Sequence, residues 1–263
     1  MKEDRGIRGE EESMKRRLMF AVAGLFLIGT FAPNASGQTA KEILDKVIEA
    51  QGGRKALAAV KDTTISGTLQ MNLMGMTMGG TITLHQKEPN KMRMDMEFAV
   101  EGFNMAMTQA CDGERAWTTD PQSGTVQALT GKQLEDMKKQ ALGTDATLNP
   151  EKYGISFAAK GREKVQGKEC LVLEQTFKDG EKYTIYVDPA TSLIFMTRGP
   201  GTDPQTGAEV ESETYFSDYK KVGSVMIAHG MSIHQGGSEF LKMSFSKVVL
   251  NSNLDDNLFV LGK

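Results

Sequence analysis

The sequence predicts an α+β protein: a strongly curved antiparallel sheet, an incomplete β-barrel, with helices covering its concave face. Three observations carry this. From Asp62 to Leu250 apolar and polar side chains alternate over ten or so segments divided by Gly-rich or Asx turns, the period-two signature of half-buried strands. Three short segments follow a helical period instead, too few to cover so wide a sheet. A sheet with one polar and one apolar face cannot leave the apolar one in water, so it must curl and be covered. That shape leaves an apolar cavity.

The chain opens on an address. Lys15, Arg16 and Arg17 precede an apolar run from Leu18 to Phe31 and the small residues Ala35, Ser36 and Gly37, the layout of a secretory signal cleaved after Gly37. That run of 14 residues is shorter than the ~20 a spanning helix needs. The acidic Glu10, Glu11 and Glu12 suit the start of a signal poorly, so translation from Met14 fits better. No Cys follows the cleavage point, so the expected product is residues 38–263, one domain with no lipid anchor there, exported to a periplasm.

In the body, Thr39 and Glu42 form a capping box, and Ile43, Leu44, Val47 and Ile48 share one helical face until Gly52 and Gly53 stop it. A second short helix follows from Arg54 to Val60. In the first strand Ile65, Gly67, Leu69, Met71 and Leu73 share one parity and Ser66, Thr68, Gln70 and Asn72 the other. The clearest strand is Lys91 to Val100, where Met92, Met94, Met96 and Phe98 alternate with Arg93, Asp95 and Glu97. Further strands are expected at 79–86, 103–110, 115–118, 155–160, 169–177, 183–187, 193–198, 209–219, 225–234 and 240–250. One helix interrupts them, Lys132 to Leu142, with Leu134, Met137, Ala141 and Leu142 as its apolar side.

Composition narrows the chemistry. With 37 leader residues removed, 25 Lys and Arg stand against 29 Asp and Glu, which gives no electrostatic footprint for nucleic acid. Three His and two Cys leave little material for metal or nucleophilic chemistry. His229 and His234, five apart, face opposite ways on a regular strand and read as surface or strand-end residues. The two Gly-to-Gly-Lys segments ending at Lys132 and Lys168 have the wrong spacing for a phosphate loop, with Gln133 and Glu169 where Ser or Thr is needed. There is no G-x-S-x-G elbow and no C-x-x-C pair, and Asp255 with Asp256 reads as a solvated turn. No enzyme and no cofactor is nominated. A bridge between Cys111 and Cys170 would close about 59 residues and contribute roughly 4 kcal/mol. Cys111 continues the parity of Met105 and Met107, however, whereas Cys170 shares that of Lys168 and Glu174, so a bulge would be needed to join them.

The most distinctive feature is methionine: nine of 17 lie between Met71 and Met107. Met is flexible and polarisable and suits a surface that accepts apolar partners of varying shape, so one reading is a lining for acyl chains. The lining set is Leu69, Met71, Ile82, Leu84, Met92, Met94, Met96, Phe98, Met105, Met107 and Trp117, under lids carrying Ile43, Leu44, Val47, Ile48, Leu134 and Met137. For any single Met, plain core filling is the better account; the cluster tilts the balance, because packed cores rely more on Leu, Ile and Val. A Cu(I) module is the alternative, since thioethers are soft ligands, although Met92, Met94 and Met96 stand roughly 6.6 Å apart along a strand. A third reading is a plain scaffold with a filled interior.

The segment Gly80-Thr81-Ile82-Thr83-Leu84, then Pro89-Asn90-Lys91-Met92-Arg93, then Asp112-Gly113 with Trp117 and Pro121, resembles the periplasmic LolA-like family of outer-membrane lipoprotein carriers. The tail from Val249 to Asn251, with Leu254, Asp255, Asp256, Leu258 and Phe259, is similar to that family's closing strand and its Asx-rich ending. The resemblance spans Gln38 to Lys263. It implies an incomplete barrel with a helical lid, and an apolar interior that carries lipoprotein acyl chains or another lipid toward the outer membrane. It also implies transfer partners at the inner or outer membrane; the charge balance gives no reason to expect more than a monomer. Glu88 stands where the family places an Arg that helps hold the lid shut, and Met92 where it places an aromatic residue.

Overall fold

The computed structural model describes residues 38–73, 75–100, 103–121, 123–203 and 208–261; the expected leader and Met74 lie outside them. Helices α1 (Ala40–Ala50) and α2 (Arg54–Ala58) precede six strands: β1 (Asp62–Leu73), β2 (Met76–Lys87), β3 (Lys91–Val100), β4 (Phe103–Cys111), β5 (Ala116–Thr119) and β6 (Val126–Ala128). Helices α3 (Gly131–Gln140) and α4 (Thr144–Leu148) follow. Seven strands complete the chain: β7 (Ser156–Val165), β8 (Lys168–Thr176), β9 (Lys182–Val187), β10 (Ile194–Thr202), β11 (Glu209–Val222), β12 (Val225–Gln235) and β13 (Ser238–Leu250).

The described strands form one 13-stranded sheet of order β6-β5-β4-β3-β2-β1-β13-β12-β11-β10-β9-β8-β7. The chain walks from β1 outward to the edge β6, crosses to the other edge β7, and walks back until β13 pairs with β1. Every neighbouring pair is antiparallel and the two edges do not pair, so the barrel is incomplete, as the alternation predicts. The crossing from edge to edge is made by α3 and α4, so topology alone carries these helices across the mouth.

Curvature has a local cause. Registers slip at Ser66/Gly67, Ala159/Gly161, Ile194/Met196 and Ile233/His234, and each bulge adds twist. At Gly67 and Gly80 a Cβ would stand 2.0 Å from the carbonyl oxygens of Ser244 and Glu97, so only glycine admits the neighbouring strand that closely.

Strand pairing sorts the two faces. The inner face carries rows such as Met107, Met96, Ile82, Gly67, Phe245 and Met105, Phe98, Gly80, Leu69, Met243, Met231. The outer face of β2–β4 is polar. Arg93 pairs with Asp95 at 2.8 Å and donates to the Leu258 carbonyl at 3.1 Å, while the Thr108 hydroxyl donates to Asp95 at 2.7 Å. The closing segment is pinned by Asp62, 3% exposed, whose carboxylate accepts from the backbone N–H groups of Ser252, Asn253 and Leu254 and from the Ser252 hydroxyl.

The outer face departs from the expected plain polar surface at β8–β11. There Val165, Cys170, Val172, Tyr186 and Met196 form a second buried cluster, beyond the bulge in β7. The run Cys170, Leu171, Val172, Leu173 is buried at every residue, the mark of a strand covered on both faces. Cys111 belongs to the inner face and Cys170 to the outer, and both thiols are free. Burial pushes both thiols above their ordinary pKa. His229 corrects the surface reading: it is 9% exposed, with Nδ1 3.0 Å from the Ile227 carbonyl.

Candidate functional site

The capping box forms as expected: the Thr39 N–H donates to Glu42 Oε2 at 2.8 Å and the Glu42 N–H to Thr39 Oγ1 at 3.2 Å. It starts α1 so that Ile43 and Val47 press on Leu171, Leu173 and Val187 of the inner face. Ile48 turns the other way and meets Leu57, Leu148 and Val225. On the opposite wall, Leu134 and Met137 of α3 pack with Met92, Cys111 and Ala116. Leu44 packs beside Ile48, so the six expected lid residues divide among three clusters.

Two apolar cavities lie between these helices and the sheet. The first, about 420 Å3, is walled by Leu57 and Val60, by Ile65 and Leu84, and by Val225, Ile227, Met231 and Phe245. The second, about 430 Å3, is walled by Leu44 and Val47 of α1, Ala146 of α4, and Phe157, Leu173 and Ile185. They share Leu142, Gly143, Thr147, Ile194 and Phe216, which makes them adjoining spaces divided by a few side chains. Each is of the size of small-ligand sites, about 300–1,000 Å3.

Two sets of polar contacts hold the helices down. From the turn between β2 and β3, Glu88 reaches the joint between α3 and α4: its Oε1 accepts from the Thr144 N–H at 2.7 Å and its Oε2 from the Asp145 N–H at 3.2 Å. Beside it the Gly143 N–H donates to the Pro89 carbonyl at 2.9 Å and Gln86 Nε2 to the Ala141 carbonyl at 2.7 Å. A Cβ at Gly143 would stand 2.5 Å from the Glu88 carboxylate, so any larger residue there pushes that side chain aside. Glu88 therefore fastens this joint by accepting backbone hydrogen bonds, as an acid can and an Arg cannot.

From the turn between β8 and β9, Asp179 and Glu181 both reach Lys139 in the last turn of α3, each at 2.6 Å. Burial disfavours its ammonium, but hydrogen bonds to Asp179 and Glu181 outweigh this and raise its pKa. Lys132 adds contacts of 3.6 Å to Glu181 and 3.8 Å to Glu209. Arg54 of α2 donates to the Leu148 carbonyl of α4 at 2.7 Å, which ties the two short helices together.

The sequence-expected lining residues fall into three places. Leu69, Met71, Ile82, Leu84, Met94, Met96, Phe98, Met105 and Met107 meet in one inner cluster, closed by Leu241, Met243 and Phe245. Of these nine, Leu84 also walls a cavity; the others pack with one another beside it, in the same rows as Leu84, Phe245 and Met231 and in the row of Met71. Met92 lies with α3. Trp117 is a correction: it pairs with Ala110, which pairs with Arg93, so it belongs to the outer face, its ring 5.3 Å from the Arg115 guanidinium.

Reading by methionine content passed over Phe216, Tyr219, Ile194 and all of α4. The alternation breaks at Asp218, whose φ is +51°, and Phe216 and Tyr219, of opposite parity, both line the first cavity. The Tyr219 hydroxyl donates to the Ile194 carbonyl at 2.8 Å, and burial raises its pKa. Among the described residues no group of three or more His, Cys, Asp or Glu could hold a metal ion.

No protein-family model matches the sequence, and no curated protein matches it. Solved structures do. A LolA superfamily protein from Nitrosomonas europaea is similar with a TM-score of 0.56 at 13% identity, over 85% of this chain and 98% of that one. The chain has the LolA-like fold. A domain named for outer-membrane lipoprotein sorting, from Vibrio parahaemolyticus, is similar to the same extent, TM-score 0.56 at 16% identity over 84% of this chain and 97% of that one. So is a DUF1329 family protein from Desulfovibrio piger, TM-score 0.57 at 16% identity over the same shares. The fold read from short motifs at Gly80, Pro89 and Asp112 is thus borne out, and the LolA-like sheet supplies the concave wall of both cavities.

Proposed function

We propose that this protein is a non-enzymatic carrier that holds lipid or lipoprotein acyl chains between its concave sheet and its helices, in transit across a periplasm toward the outer membrane. The observation that carries the reading is the pair of adjoining apolar cavities roofed by helices that are fastened to two separate turns of the sheet, β2–β3 and β8–β9. An acyl chain placed there gains about 0.8 kcal/mol per buried methylene, enough over a long chain to leave a membrane once ordering costs are met. Release follows if the helices settle back onto the surface the chain vacates. The similar Vibrio domain's name points the same way. In this reading residues 1–37 are a leader removed on export, and the working protein is a monomer of residues 38–263.

The test is native mass spectrometry with lipid extraction of protein purified gently from a periplasm. Co-purifying lipid or acylated peptide is expected, and it should be lost when Ala228, on the wall of the first cavity, is changed to Trp. A clean apo mass that also takes up no added fatty acid would overturn the proposal. A second reading, a copper module, is favoured by methionines directly opposed across strands at Met71/Met78, Met96/Met107 and Met231/Met243. Met→Leu changes at these pairs keep the apolar surface and remove the ligands, so loss of lipid uptake and loss of Cu(I) uptake separate the two.

A further inference from the structure

We infer that the methionine-rich cluster is the far section of the same acyl-chain site, packed shut in the free protein and opened by the methyl end of a bound chain. This rests on the carrier reading and adds where the chain lies and how long a chain is held. Polarity along the first cavity sets the direction. Its wall begins at the paired Thr63 and Gln86, with Gln51 and Thr144 beside them and Leu250 across the ladder, and passes to the next row inward, Ile65 and Leu84, whose wall residues are all apolar. The row after that is Gly67 opposite Phe245. A chain with a polar head therefore enters with its head at Thr63 and Gln86 and its tail toward Phe245 and Met231.

The tail then meets the cluster directly, because Ile65, Leu84, Phe245 and Met231 are both cavity wall and cluster members. Inner-facing rows stand about 7 Å apart along a strand, so Thr63 to Gly67 spans about 13 Å. A membrane lipid's chain spans about half of a ~30 Å hydrocarbon core, or about 15 Å, and so passes the Gly67 row and reaches the row at which the cavity wall meets the cluster. That row holds Met243 and Met231, and the one beyond it Met71 and Met78.

What the chain must displace is unusually yielding. The cluster contains eight methionines and no residue of any helix, and six of the eight are only partly buried. A methionine moves aside by rotation about three single bonds and exchanges one apolar contact for another, whereas Ile or Val is stiff at its first torsion. Leu69 and Ile82, 2% and 1% exposed, form the fixed floor beneath them.

The experiment uses two fatty acids, decanoic and octadecanoic, each with a photoreactive diazirine at the methyl end, crosslinked to the purified protein and mapped by peptide mass spectrometry. The long probe should label peptides containing Met96, Met107 or Met243, and the short one the cavity wall near Ile227 and Phe245. In the triple variant Met71→Ile, Met96→Ile, Met243→Ile, affinity for the long acid should fall about tenfold with the short acid unchanged; the Met→Leu counterpart is the control for folding. Identical labelling by both probes, with no loss of affinity for the long acid, overturns this inference and leaves the carrier standing. If neither acid binds, the carrier reading itself falls.

Discussion

Two patches of the same inner face solve the same problem with different side chains. Under α1 the sheet presents Leu171, Leu173 and Val187 to Ile43 and Val47, with Ile185 and Ile194 at the margin and no methionine. At the far ends of β1–β4, β12 and β13 no helix packs in, and the filling is eight methionines around Leu69 and Ile82. One inner row joins the two patches, from Met78 and Met71 through Leu241, Ile233, Thr214 and Thr197 to Ile185 and Leu173. The difference therefore does not come from the sheet. Where a helix supplies a fixed complementary surface, branched side chains with few rotamers lock into it; where a curved sheet must pack against itself, an unbranched side chain fills irregular gaps.

This contrast can be broken by mutation, and the largest effect should come from the rigid patch. Leu173→Ala removes a side chain 1% exposed and should cost about 2–5 kcal/mol in urea unfolding, because helix and sheet cannot collapse onto the hole. The fastening at Glu88 comes next. Glu88→Ala leaves the Thr144 and Asp145 N–H groups without their charged acceptor, at about 1.5–3 kcal/mol, expressed as faster amide exchange at 143–146 and faster ligand release. Gly143→Ala should reproduce it by collision with the same carboxylate. Smaller still is Met96→Leu with Met107→Leu, a volume-conserving swap expected to cost less than about 1.5 kcal/mol per site. A cost for the methionine pair equal to that of Leu173→Ala would show both patches to be equally rigid and would remove the basis for an expandable end.

Much of this was legible in the sequence because alternation is a local signal. Lys91–Val100 matches its expected strand at both ends, and the helical faces of α1 and α3 point as their spacing says. β6 and α4 were not legible: the first is three exposed residues with no face to alternate, the second five residues with no side-chain cap. The site was legible in part. Parity put Met94, Met96 and Phe98 on the inner face, but no pattern within one strand tells whether an inner residue meets a space or another side chain. Phe216 and Tyr219 face one cavity only because Asp218 interrupts the alternation between them. Trp117 was misplaced because β5 is four residues long and its parity has to be borrowed from Ala110 across the ladder.

The smallest expected effect concerns the ionic end of the lid, and it separates fastening from packing. Lys139→Met keeps most of the stem that lies 5.3 Å from the Phe177 ring at its tip and deletes the charge that meets Asp179 and Glu181. Global stability should change little, since Asp179 is half-exposed and screened by water and Glu181 keeps Lys132 at 3.6 Å. The rate at which a fluorescent fatty acid leaves should rise, and added salt should speed release from the unaltered protein but not from the variant. The pH dependence has a definite sign. The Lys139 hydrogen bond holds Asp179 below its ordinary 3.8, so its contribution is complete above that value and is lost as pH falls through the lowered one. Lys139 is raised above 10.5, so its contribution is complete below that value and is lost as pH rises through the raised one. Release from the unaltered protein should thus be slowest and flat between these limits and accelerate outside them. The variant should lack the acid acceleration that Asp179 causes. If it keeps that acceleration undiminished, the lid is held by Glu88 and by apolar contact alone, and the turn between β8 and β9 is a bystander.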